Sequence, residues 1–207
     1  MAFKWPVSWG KATMEPRTRQ LTVNRRLRTE PLSAVDRGIL VLFVLLGMLL
    51  PWAAGCGRVP TELVSRECGV AITMPVPPTY EPSTFVVEGE TLTNHQSRAL
   101  LDGITYGFVC TPAPGLMDGK SPQELFDSMK QGWLIDGDNR LVTEHAVALQ
   151  GHRGLELVMT KKASGETIRN RGFMFANAAI NISVIGSAAD VARPVADHFL
   201  DSLRLQN

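Results

Sequence analysis

The sequence predicts an α+β fold: an antiparallel sheet with about two covering helices, preceded by an N-terminal hydrophobic signal or anchor helix. Three observations predict it. Apolar residues alternate with period two along most of the second half of the chain, the pattern of strands with one buried face. Short turn segments at Asp102-Gly103, 150–154 and 163–166 separate these runs, so that neighbours join as hairpins and the sheet is antiparallel. Only 120–133 and 190–205 switch to helical spacing, and helices interspersed among consecutive strands cover a sheet face.

The N-terminal part comes first. A chain of 207 residues holds one ordinary domain plus extras. Its net charge of +1 hides an asymmetry: residues 1–37 carry eight Lys/Arg against three Asp/Glu, a net of +5, and the remainder a net of −4. The basic residues therefore belong to the tail, and the main domain lacks the electrostatic footprint of a nucleic-acid binder. Residues 38–56, "GILVLFVLLGMLLPWAAGC", are nineteen without a charge. As a helix they would be about 28 Å long, close to the ~30 Å hydrocarbon core of a bilayer. A charged start, an apolar centre and small residues after it make a signal peptide, and positive charge ahead of the run keeps the N-terminus in the cytoplasm.

Ala53-Ala54-Gly55-Cys56 resembles the lipobox of bacterial lipoprotein precursors. The resemblance implies cleavage after Gly55 and acylation (diacylglyceryl, palmitate-type) of Cys56 as the new N-terminus. It departs from the family in having Ala53 where Leu is preferred. An uncleaved single-span anchor and ordinary cleavage elsewhere are the alternatives. All three send residues 57–207 out of the cytoplasm, to the periplasm or cell surface. The expected organisation is a basic tail (1–37), a signal or anchor segment (38–56), a tether (57–67) and an extracytoplasmic α+β domain (68–207).

Within that domain a strand is expected over 69–74. Pro75, Pro77, Pro78 and Pro82 remove backbone donors, so the segment around them reads as an extended loop. Strands over 91–100 and 103–112 flank the Asp102-Gly103 hairpin signal. Ser121, Pro122 and Glu124 form an N-cap, first-turn proline and capping box for a helix carrying Leu125, Phe126 and Met129, with Gly132 as its stop. Residues 136–139 make a turn. Strands follow over 140–149, 154–162, 166–176 and 179–186. The last helix has Pro194 in its first turn and an apolar stripe of Val195, Phe199, Leu200 and Leu203. Cys68 and Cys110 fall on core-facing strand positions. They read either as two buried free thiols or as a disulfide in an oxidising compartment.

Catalytic and metal signatures are sparse. His95, His145, His152 and His198 lack any close metal spacing and read as ordinary histidines. No G-x-S-x-G is present. Asp136 and Asp138 open like a calcium loop, but Arg140 stands where an oxygen ligand belongs, so a plain turn is expected. Arg169 and Arg171, in one stretch with Phe173 and Phe175, read as the solvated face of a strand, with a ligand or partner surface as the alternative.

The element order, the Gly151–Leu157 turn into a strand and the closing Phe199–Leu205 are similar to PsbP-like α/β/α sandwich domains. That resemblance implies an accessory or assembly module and not, typically, an enzyme. The expectation is a membrane-anchored binding domain without cofactor or metal, with an envelope protein or small ligand as partner and no nucleic acid. An envelope enzyme built from dispersed residues and a purely structural role are the alternatives.

Overall fold

The computed structural model describes residues 59–206 apart from 88, 116–117 and 136. The basic tail, the apolar run, Gly55 and Cys56 lie outside the described residues. The described chain runs β1 (Thr61–Ser65), β2 (Val70–Met74), β3 (Thr79–Val87), β4 (Glu90–Leu101), β5 (Ile104–Pro112), α1 (Pro122–Leu134), β6 (Asn139–Leu149), β7 (His152–Lys161), β8 (Thr167–Phe175), β9 (Ala178–Gly186), α2 (Ala188–Val191), α3 (Pro194–Asp201) and β10 (Arg204–Leu205).

The strands form two sheets. The larger has the order β3-β4-β5-β9-β8-β7-β6, the smaller β1-β2-β10, and every neighbouring pair is antiparallel. The expected mixed fold with antiparallel sheets and few helices is therefore present; where the sequence predicts one sheet, the structure has a second, small one. Asp102 and Gly103 both take positive φ, 51° and 80°, which is what a two-residue turn between right-twisted strands demands.

The large sheet is covered on both faces. On one, α1 packs against β6, β7 and β8 through Phe126, Met129 and Trp133. A Cβ at Gly172 would overlap the Met129 sulfur, so this glycine lets the helix seat closely. On the other, β1, β2, α2 and α3 enclose the main core. Ile72 and Met74 of β2, Tyr106 and Phe108 of β5, Ile180 and Ile182 of β9, and Phe199 of α3 meet there. Tyr106 and Phe199 pack edge to face with centroids 5.3 Å apart, and burial raises the Tyr106 pKa above its ordinary value.

The small sheet is fastened to this core at both ends. Cys68, in the turn between β1 and β2, forms a disulfide with Cys110 of β5, Cα to Cα 6.2 Å. At the other end, the Ser202 hydroxyl accepts from the Thr73 N–H at 3.0 Å and donates to the Phe199 carbonyl at 2.7 Å. The Leu205 N–H donates to Gln150 Oε1 at 2.9 Å.

Four expectations need correction. The tether contains a strand, since Thr61–Ser65 pairs with Val70–Met74; its apolar residues Leu63 and Val64 were too few to reveal it. The proline-rich segment, read as loop, becomes strand β3 from Thr79 on. Pro82 is tolerated because β3 is an edge strand, bonded on one side only among the described residues. Helix α1 passes through Gly132 and ends beyond Leu134, where Gly137, at φ 66°, gives its N–H to the Leu134 carbonyl at 3.0 Å. Val195 is 36% exposed, and Ala196 takes its place in the buried stripe of α3.

Both edges of the large sheet resist further pairing. Pro82 lacks a donor on β3, while β6 carries a register shift between Leu141 and Thr143 and the charged residues Arg140 and Glu144.

Three measurements check this account. Cross-linking across a sequence separation of 42 stabilises by about 4 kcal/mol in the chain-entropy description, so Cys68→Ala/Cys110→Ala should lower the urea stability by about that amount and abolish the effect of reductant. Gly154 is pressed against the Phe173 ring, 2.5 Å from where a Cβ would stand, and against the Gly172 carbonyl at 2.9 Å. Gly154→Ala should therefore lose about 1–3 kcal/mol in the same assay. At the start of α1, the Ser121 N–H and hydroxyl reach Glu124 Oε2 at 2.7 and 2.8 Å and hold its carboxyl below the ordinary value. A lowered folded-state pKa stabilises above the unfolded value and is lost as pH falls through the folded one. The Tm deficit of Glu124→Gln should accordingly be present at neutral pH and vanish in acid.

Candidate functional site

Where the small sheet leaves the large one, β1 stands off from β3 and β4 and opens a cleft. Tyr80 of β3 pairs in register with Ser97 of β4, and His95 with Cys110 of β5, so these four side chains point to the same face. The cleft has a volume of about 160 Å³. Leu63, Val64 and Ser65 of β1 form one wall, Tyr80, His95 and Ser97 the other; Glu67 and Phe108 complete it. Ser97 and Phe108 are buried, whereas Tyr80 and Val64 are 55% and 46% exposed and form the rim.

The polar groups of the cleft are organised. Tyr80 Oη and His95 Nδ1 share a hydrogen bond of 2.7 Å, and the two rings stack at 6.2 Å with an interplanar angle of 25°. The Ser65 hydroxyl lies 3.2 Å from Cys110 Sγ and 3.4 Å from Glu67 Oε2. The disulfide therefore underlies the cleft and fixes the turn that carries Glu67. No serine–histidine hydrogen bond occurs among the described residues of the cleft. Among the described residues, no three His, Cys, Asp or Glu side chains stand together to hold a metal ion.

A second polar cluster lies beneath α3. Arg169 and Arg171, expected on a solvated face or a partner surface, are instead turned inward and only 17% and 16% exposed. Both reach the buried Glu156. Arg169 Nη1 also donates to Asp197 Oδ1 at 2.7 Å and to the Val191 carbonyl at 3.2 Å, and Arg171 to Asp201. Burial works against each guanidinium's charge, yet the hydrogen bonds that Arg169 donates to Asp197 and Glu156, and Arg171 to Asp201 and Glu156, outweigh it and hold both pKa values above the ordinary one. This network clamps α3 to the sheet. Its charges serve one another, so it is a fastening and not the ligand site.

The remaining sequence candidates are dispersed. His145 lies on the edge strand β6, His152 packs edge to face on Phe175 at 5.2 Å, and His198 sits in the last turn of α3. Asp136 lies outside the described residues, and Asp138 uses its backbone carbonyl to accept from the Lys162 N–H at 2.8 Å. Cys68 and Cys110 are joined as a disulfide, as Arg169 and Arg171 are brought together at Glu156. Sequence reasoning missed the cleft because Tyr80 belonged to a segment read as loop and Glu67 to one read as tether; the pairing of β3 with β4 is what joins Tyr80 to His95.

No family model matches the sequence, and no curated protein matches it. Solved structures do resemble it. The solution structure of cyanobacterial PsbP (CyanoP) from Synechocystis sp. PCC 6803 is 12% identical, with a TM-score of 0.47, over 76% of this chain and 99% of that one. The crystal structure of a protein of unknown function from Pseudomonas aeruginosa is 12% identical, with a TM-score of 0.42, over 72% of this chain and 98% of that one.

The clamp makes a prediction of its own. Glu156→Gln removes the one buried carboxylate facing two guanidinium groups and should lose about 2–4 kcal/mol. Much of that loss should be recovered in Glu156→Gln/Arg171→Met, as urea unfolding of the single and double variants would show.

Proposed function

We propose that this chain is a membrane-anchored extracytoplasmic lipoprotein, cleaved after Gly55 and acylated on Cys56. On this reading its PsbP-like domain is a non-catalytic binding module that works through the cleft between β1 and β3–β4. The observation that carries the proposal is the buried Cys68–Cys110 disulfide. Disulfides persist in oxidising compartments outside the cytoplasm, which is where the apolar run and lipobox-like residues would deliver residues 57–207. Two acyl chains give stable anchoring where one is marginal. Among the described residues no helix is long and apolar enough to cross a membrane; the proposed anchor is the uncharged run 38–56. The binding role rests on the cleft, whose hydroxyl, imidazole and carboxylate groups converge beside an exposed aromatic rim.

The test has two arms. Intact mass and N-terminal peptide analysis of the protein purified from membranes should give an acylated Cys56 as the first residue, and Cys56→Ser should remain unprocessed. A full-length chain with an unmodified Cys56 contradicts the lipoprotein. For the binding role, a photo-crosslinking residue is placed at Val64, on the rim, or at Leu100, which is exposed on the opposite face of the sheet. Val64 should give a discrete adduct in native membranes that His95→Ala removes, and Leu100 none. Equal labelling at both positions, or none, contradicts a binding role for the cleft.

A further inference from the structure

We infer that the cleft is a socket for one protruding basic side chain, lysine or arginine, of a protein partner; this rests on the binding role proposed above. Size comes first. Clefts for whole metabolites or drug-sized ligands begin at about 300 Å³, and this one holds about 160 Å³. That is the scale of one long side chain and not of a nucleotide or sugar. The occupant is therefore part of a larger molecule whose bulk stays outside.

Charge comes second. Among the described residues that line it, Glu67 is the one with a formal charge at neutral pH, and none is lysine or arginine. Arg66, next in the chain, is not among the lining residues, and Arg204 pairs with Glu62. A lone carboxylate attracts a cation and repels an anion. The walls suit the rest of such a side chain. Leu63 offers apolar surface to a methylene stem, as long basic side chains require. The Tyr80 ring, held in place by its hydrogen bond to His95, offers a π face to the cationic head. The Ser65 hydroxyl, 3.4 Å from Glu67 Oε2, keeps the carboxylate at this end of the cleft.

The test uses the full chain in detergent micelles with ring-labelled histidine and tyrosine, followed by NMR. The probes are N-acetyl-lysine methylamide and N-acetyl-arginine methylamide, with the glutamate and leucine analogues as controls. The basic probes should move the His95 and Tyr80 signals saturably and the controls should not. Glu67→Gln should weaken the basic probes by about fivefold or more, and Glu67→Asp should retain most of the affinity. Glu67 is exposed, so neither variant threatens the fold. Equal response to the glutamate analogue, indifference to Glu67→Gln, or no saturable shift overturns the inference. If the probes fail while Val64 still crosslinks its partner, the basic-side-chain socket falls and the binding cleft stands. If both fail, both fall.

Discussion

The small sheet depends on one covalent constraint. Five residues of β1 and five of β2 bury too little surface to stand alone, and β10 adds a two-residue pairing. Cys68 ties their turn to Cys110 in the middle of the large sheet, removing from the unfolded chain the freedom of a long loop. With that point fixed, β2 lays Val70, Ile72 and Met74 into the core, and β1 is held beside β3 and β4 at the spacing that makes a cleft. The Ser65 hydroxyl contacts the Cys110 sulfur directly, so the same bond that orders the core also positions the polar end of the cleft.

The two polar clusters show how placement decides what charge does. Beneath α3, each guanidinium meets at least two acceptors, and the cluster binds an eight-residue helix to the sheet. Such a helix is too short to persist alone, so its register depends on this clamp and on Phe199 and Leu200. In the cleft, by contrast, Glu67 has one long contact from Ser65, and the Tyr80–His95 pair faces outward. The cluster beneath α3 is a fastening, while the proposed binding role falls to the cleft.

Much of the fold was legible because its elements carry local signals. The capping box at Ser121, the Asp102-Gly103 turn and the alternation of Ile180, Ile182 and Val184 each need only neighbouring residues. What was not legible depends on distant pairing. Prolines hid β3, whose strand character comes from β4 beside it, and β1 became a strand because β2 and the disulfide hold it. Arg169 and Arg171 looked solvent-facing because alternation gives the face of a side chain but not what covers it; the covering helix brings Asp197 and Asp201 from 28 and 30 residues away. The same limit concealed the cleft, whose parts come from β1, a turn, β3, β4 and β5.

The central claim is that Cys68 and Cys110 are bonded in the working protein. The most direct measurement is non-reducing peptide mapping of the native protein after alkylation of free thiols. The account predicts one linked peptide pair containing Cys68 and Cys110, with neither cysteine alkylated until reductant is added. Both cysteines alkylated without reductant would contradict it, and the small sheet would then need another explanation for its hold on the core.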